Sequence, residues 1–127
     1  MNQEIIIRLS MLENRTKEVE ERIKLIDQNV MELQSINLAL EKFEKDDAKE
    51  ILSQIGKGIF IKGEAKDKEL LVDVGSRVLV KKTPKQVTEI IMRQLEKLSE
   101  ARAESFRVLE LLGKEMEKLV ESVKKEN

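Results

Sequence analysis

The chain has 127 residues, of which 39% are charged and 2% aromatic, and its 24 basic and 25 acidic side chains give a net charge of −1. This balance argues against a protein that binds nucleic acid or an anionic membrane. The absence of Cys and His excludes disulfides, thiol or imidazole catalysis and Cys/His zinc sites, and we expect a non-enzymatic protein without cofactors. With no apolar run that could span a bilayer and no secretory signal at its start, the chain is expected in the cytoplasm.

The first 46 residues contain neither Gly nor Pro and carry a heptad repeat. With Leu9 at position a, every d position over six heptads is aliphatic: Ile5, Leu12, Val19, Ile26, Leu33 and Leu40. Position a is half apolar and includes the polar residues Asn2, Thr16 and Asn37. A sustained repeat of about 3.5 residues is typical of a left-handed coiled coil, so residues 1–46 are predicted to form a coiled-coil helix, in which roughly 40 helical residues span about 60 Å.

Residues 47–83 contain four of the five Gly and four short β-branched or apolar runs, at 51–55, 59–62, 70–74 and 78–81. Tight turns at 56–58 and 75–76 and a polar loop at 65–69 predict two successive β-hairpins. Four strands this short are marginal alone and have open edges, so we expect them to join strands of other subunits. The candidate assembly residues are the apolar side chains of these runs: Ile51, Ile55, Ile59, Phe60, Ile61, Leu71, Val72, Val74, Val78 and Val80.

Residues 84–127 are predicted to form a second coiled-coil helix, with Thr83 as N-cap and Pro84 at its first position. Two helices of matched length most simply pair antiparallel, so the predicted fold is α+β in a single domain, 1–127. Placing residue i opposite roughly residue 130 minus i brings Arg102 near Asp27, although Arg102 could equally extend into water. The apolar positions of this seam alternate in steps of four and three: Ile91, Leu95, Leu98, Leu109, Leu112, Met116, Leu119 and Val123, with Arg102 and Ser105 between them.

One apparent ligand motif is rejected on its residues. Gly58 and Gly63 have the glycine spacing of a phosphate-binding loop, but Glu64 and Ala65 stand where that loop needs Lys and Ser or Thr. The intervening residues predict a strand, and the many carboxylates are spread along helix faces instead of converging in a pocket. We therefore predict no catalytic, cofactor or metal site.

Both ends of the chain carry more apolar side chains than the seam needs. In an antiparallel hairpin these ends meet at the end farthest from the β segment, where exposed apolar surface with adaptable Met suits promiscuous binding. The alternative is that the ends pack on each other or on a neighbouring subunit. The candidate binding residues are Ile5, Ile6, Ile7, Leu9, Met11, Leu12, Leu112, Met116, Leu119, Val120 and Val123.

The β segment resembles a known family. Its sequences EILSQIGKGIFIKG (50–63) and LVDVGSRVLVKK (71–82), between two coiled-coil helices, are similar to the central region of archaeal-type alpha-class prefoldin subunits. The pattern typical of that class is ILVPIGxGxFxKG followed by VxVGxGxxVE. Two hairpins, instead of one, resemble the alpha class more than the beta class. Ser53 and Gln54 replace the usual Val-Pro, and Arg77 stands where Gly is common.

The resemblance implies an ATP-independent molecular chaperone that holds unfolded proteins. Such subunits form a hexamer of two alpha and four beta subunits, in which the β-hairpins build a double-barrel platform. The coiled coils hold non-native proteins and deliver them to a group II chaperonin. The residues alone leave a second possibility open, a structural coiled-coil spacer or filament-forming homo-oligomer that assembles by strand addition.

Overall fold

The computed structural model describes residues 2–45, 50–65 and 67–126. Two long helices, α1 (Gln3–Lys45) and α2 (Pro84–Glu126), flank four strands, β1 (Glu50–Gly56), β2 (Ile59–Glu64), β3 (Leu70–Asp73) and β4 (Leu79–Lys82). This order confirms the predicted α+β arrangement. The predicted boundary between the first helix and the β segment, residues 46–49, lies outside the described residues, as do Met1, Lys66 of the predicted loop and Asn127. Over the described part of the chain, neither helix is long and apolar enough to cross a membrane.

Side-chain caps fix the first turn of each helix. Asn2 Oδ1 accepts a hydrogen bond from the Glu4 N–H at 3.0 Å at the start of α1. At the start of α2, Thr83 Oγ1 accepts from the Gln86 N–H at 3.2 Å, and Gln86 Oε1 accepts from the Thr83 N–H at 3.0 Å. This reciprocal pair is a capping box, which satisfies two backbone donors that a helix start otherwise leaves free. The predicted cap at Thr83 is confirmed.

The chain forms two compact units, of which the first contains Met1–Glu32 and Leu95–Asn127. Its core is a seam in which Val19 and Ile23 of α1 cluster with Leu112 of α2, and Leu12, Val108 and Leu109 pack against them. Contacts between early α1 residues and late α2 residues show that the two helices run antiparallel in this unit. The predicted seam is confirmed here, because its apolar positions from Ile5 onward are buried or half-buried.

Polar residues in this seam find partners close by. Arg102 Nε lies 2.7 Å from Asp27 Oδ1, which confirms the predicted pairing of these two residues instead of extension into water. The guanidinium also stacks over the Phe106 ring, 4.8 Å from its centroid. Ser105, only 3% exposed, and Thr16 donate their hydroxyls to the backbone carbonyl four residues earlier, so neither leaves an unpaired polar group in the seam.

The second unit, Leu33–Gln94, contains the hairpins and the adjoining helix ends. Leu40, Ile91 and Pro84, the first residue of α2, are its buried apolar side chains among the described residues. Strands β1 and β2 pair antiparallel, as do β3 and β4, and each pair is a separate two-stranded sheet. The two predicted hairpins are therefore confirmed, and the structure adds a detail that the pattern did not predict. The β1–β2 register shifts between Gln54 and Gly56, which leaves Ile55 as the extra residue of a β-bulge.

The strands of the second hairpin end one residue earlier and begin one residue later than predicted, because Val74 and Val78 belong to the turn. The Val78 N–H donates to the Gly75 carbonyl at 2.9 Å, and the Val74 N–H donates to the Val78 carbonyl at 3.0 Å. Ser76 and Arg77 occupy the two central positions with φ of 50° and 63°. Two positive φ values are the signature of a type I′ turn, whose twist matches that of the flanking strands.

Candidate functional site

In the first unit, the early turns of α1 and the late turns of α2 enclose an open groove of about 420 Å³. The seam residues Leu12 and Leu119 line this groove together with Met11, whose thioether side chain is flexible. Three charged side chains complete the lining: Arg8, Glu115 and Lys118. These three charged residues were not predicted as part of a site, although their positions beside the seam in the heptad repeat were the available signal.

Four of the predicted binding residues project from this end of the pair as exposed side chains, and we call them the terminal surface: Ile6, Ile7, Met11 and Val120. Six others are half-buried along the seam: Ile5, Leu9, Leu12, Met116, Leu119 and Val123. Leu112 requires a correction, because it is only 6% exposed and packs against Val19 and Ile23. It therefore belongs to the core of the pair and presents no surface. The neighbouring Leu111 is exposed and presents apolar surface at this end instead of Leu112.

The first hairpin is apolar on both faces. Because successive residues of a strand alternate between faces, the observed register places Ile51, Ile59 and Ile61 on one face and Leu52 with Phe60 on the other. All five side chains are exposed in the chain. A hairpin that shows apolar side chains on both faces has no core of its own, so each face needs cover from another element.

The second hairpin has two unequal faces. One contains the half-buried Val72 opposite Val80, and the other contains the exposed Leu71 and Leu79. Of the predicted assembly residues, Val72 alone is half-buried, and the rest are exposed: Ile51, Ile55, Ile59, Phe60, Ile61, Leu71, Val74, Val78 and Val80. Leu52 and Leu79 belong to the same surfaces and were missed, although both lie inside the predicted strand runs.

A third set of exposed apolar side chains lies along the helices, away from both the seam and the terminal surface. These residues were not predicted, because they lie outside the a and d positions of the heptad repeat and away from the chain ends. The members of this set are Leu25, Met31, Ile36, Leu38, Met92 and Phe106.

These surfaces suit binding more than chemistry. Among the described residues, no group of three or more His, Cys, Asp or Glu side chains could hold a metal ion. The clearest pKa effect is on Arg102, where the hydrogen bond to the Asp27 carboxylate raises the pKa of the guanidinium further above its usual range. The guanidinium is charged with or without this shift, so the Arg102–Asp27 pair is a structural contact between the two helices. What the described residues present is exposed apolar area without fixed hydrogen-bonding geometry, a kind of surface whose contacts are driven by the hydrophobic effect.

Comparison with known proteins agrees with this description. The family model for "Prefoldin subunit" matches residues 12–126. A protein named "Prefoldin subunit alpha" from Methanobrevibacter smithii is 32% identical over 84 residues, which cover 65% of this chain and 58% of that protein. Another of the same name from Thermofilum pendens is 31% identical over 93 residues, which cover 72% of each. The chain thus spans about three fifths of the first relative.

Solved structures agree on the fold. A filamentous PFD from Methanocaldococcus jannaschii, determined by cryo-electron microscopy, superposes with a TM-score of 0.75 at 15% identity, covering 95% of this chain and 99% of that one. At this identity the likeness concerns the fold alone. The family match over most of the chain, the two alpha-named relatives and the helix–two-hairpin–helix order lead to one conclusion. The chain belongs to the prefoldin family, as an alpha-type subunit.

Proposed function

We propose that this chain is a subunit of an ATP-independent holdase that binds non-native proteins at its terminal surface. The observation that carries the proposal is the exposure of Ile6, Ile7, Met11 and Val120 at the end of the helix pair that also contains an open groove, which Met11 helps to line. Each such side chain contributes about 1.5–3 kcal/mol when a partner buries it fully, so several weak contacts hold an unfolded chain reversibly. The flexible Met and the absence of a required hydrogen-bonding pattern suit clients of many sequences.

In this proposal the hairpins hold the subunit in its assembly. The chain acts as one prefoldin-like unit in the cytoplasm, with helix 1–46, β segment 47–83 and helix 84–127. Its exposed strands pair with those of beta-class subunits in a two-alpha, four-beta hexamer, where they form an inter-subunit β-barrel platform. Bound clients then pass to a group II chaperonin. The alpha-type family membership and the uncovered apolar faces of both hairpins support this arrangement.

A homo-oligomeric filament is the second candidate. It is favoured by the shared fold with a filamentous PFD and by the open edges of both two-stranded sheets. Size-exclusion chromatography and electron microscopy of the chain, alone and co-expressed with a beta-class subunit, separate the two assemblies. Closed particles that need the partner support the hexamer, and fibres of the chain alone support the filament.

Replacing Ile7, Met11 and Val120 together by Ser tests client binding directly. We expect near-total loss of the ability to suppress aggregation of heat-denatured citrate synthase, with partial loss for each single change, because the affinity is spread over the surface. The matched control replaces Leu25, Met31 and Ile36 by Ser, since these side chains have similar exposure but lie outside the terminal surface.

The control variant should suppress aggregation as the parent does, and both variants should assemble normally by light scattering. Suppression should also persist in added salt, because apolar binding is not screened. Equal activity of the two triple variants would refute the assignment of client binding to the terminal surface.

A further inference from the structure

The second unit contains a groove that neither client binding nor assembly uses. It has a volume of about 470 Å³ and lies between the late turns of α1 and the early turns of α2. Two apolar side chains and four polar ones line it: Leu38, Met92, Gln34, Asn37, Glu41 and Thr88. We call it the lateral groove.

A buried hydrogen-bond acceptor lies in its lining. The Asn37 Nδ2 group contacts the Met92 sulfur at 3.8 Å, a weak acceptor. The Asn37 Oδ1 atom is buried and has no donor among the described residues. A buried carbonyl without a donor is unfavourable, since it has given up water and gained nothing in exchange. Met92, which contacts the Asn37 amide through the amide nitrogen, is 57% exposed and has three rotatable bonds, so its side chain can move away and make room for a ligand beside the amide.

The lining of the lateral groove is negatively charged. Glu41 is the charged residue in its lining, and no ion pair within the described part of the chain engages its carboxylate. Beside it, Leu38 and Met92 are exposed apolar walls. A purely apolar ligand would fit those walls but would desolvate the Glu41 carboxylate and keep the Asn37 carbonyl unpaired. The occupant must therefore bring both apolar surface and hydrogen-bond donors with positive charge.

An arginine side chain has this combination. Its apolar stem packs along surfaces such as Leu38 and Met92, and its planar guanidinium carries five donors, enough for a carboxylate and a carbonyl together. A lysine ammonium is a compact, strongly hydrated point charge and reaches two separated acceptors less well. We propose that the lateral groove is a docking site for a partner protein segment that presents an arginine beside an apolar residue.

The test uses the full chain labelled with 13C at its methionine methyl groups. The probe is a twelve-residue Gly/Ser peptide with one Leu-Arg pair, and the matched probe has Leu-Gln. We expect the Met92 methyl signal to shift saturably with the Leu-Arg peptide and about tenfold more weakly with Leu-Gln, because the charged hydrogen bonds are lost. Met31, exposed on α1 but outside the groove, is the internal control and should not move.

Variants identify the acceptors. Glu41→Gln and Asn37→Leu should each weaken binding of the Leu-Arg peptide several-fold, and both should fold, since one changes an exposed residue and the other adds an apolar side chain to the seam. Glu20→Gln, an exposed change elsewhere on α1, should leave binding unchanged. The proposal is overturned if Met92 does not respond, if Leu-Gln binds as well as Leu-Arg, or if Glu41→Gln and Asn37→Leu both keep the parent affinity.

Discussion

At the scale of single residues, the β3–β4 turn holds a non-glycine residue in a conformation that favours glycine. Arg77 has a φ of 63°, and the neighbouring Ser76 has a φ of 50°. The left-handed region costs an L-residue about 1–2 kcal/mol, because the Cβ approaches the following carbonyl oxygen. The turn is nevertheless held by the Val78–Gly75 backbone hydrogen bond and by Asp73 Oδ1, which accepts from the Gly75 N–H at 2.8 Å. The departure from the family pattern at position 77 thus has a conformational cost.

Replacing Arg77 by Gly should remove that cost. We expect the second hairpin to be stabilised by about 0.5–1 kcal/mol, since part of the relief is offset by the greater freedom of Gly in the unfolded chain. Amide exchange of Val74 and Val78 measures this locally and should slow by roughly two- to fivefold. Arg77→Ala is the control and should give no stabilisation, because Ala also carries a Cβ. Faster exchange in the Gly variant would show that the Arg77 side chain makes a stabilising contact that outweighs the strain.

At the scale of elements, the sequence predicted what depends on local pattern. The heptads located both seams, and pairing residue i with roughly residue 130 minus i brought Asp27 to Arg102, as the ion pair shows. The bulge at Ile55 was not predictable, because it depends on how β1 pairs with β2 and not on either strand alone. The lateral groove was missed for the same reason, since it exists only where two helix faces meet. The sequence contains both residues of the Thr83–Gln86 capping box, but only the cap at Thr83 was predicted from it.

The seam can be tested with two adjacent residues of α1. Ile26 is 7% exposed at a d position, and its neighbour Leu25 is 59% exposed on the outer surface. Ile26→Ala should destabilise the protein by about 2–4 kcal/mol through lost burial and a residual cavity, with the low end expected if the helices close around it. Leu25→Ala should change stability by less than about 0.5 kcal/mol. Urea denaturation followed by circular dichroism measures both, and equal midpoints for the two variants would mean that the seam is misplaced.

At the scale of the whole molecule, apolar side chains are mostly uncovered. Among the described residues, six aliphatic side chains and Pro84 are buried while 22 large apolar ones are exposed, and half of the exposed ones belong to the β segment. Soluble monomers rarely expose contiguous apolar area on this scale, so its concentration in one segment indicates an interface. In the function proposed above, the helix termini, with a few exposed apolar residues, make transient contacts with clients, and the hairpins, with many, make permanent contacts with other subunits.

If the hairpins form the assembly surface, introducing a carboxylate there should prevent the subunits from assembling. Phe60 and Ile61 lie on opposite faces of β2 and are both exposed in the single chain. If neighbouring subunits cover both faces, Phe60→Asp or Ile61→Asp buries an unpaired carboxylate, which costs several kcal/mol, and each change should abolish oligomers. The helices should persist, since their caps and seam are unaltered and circular dichroism should report unchanged helicity. Lys57→Asp, a change at the exposed turn of the same hairpin, is the control and should assemble normally by light scattering. Loss of assembly in only one of the two variants would show that just one face is covered, and full-size particles from both would place the assembly surface elsewhere in the chain.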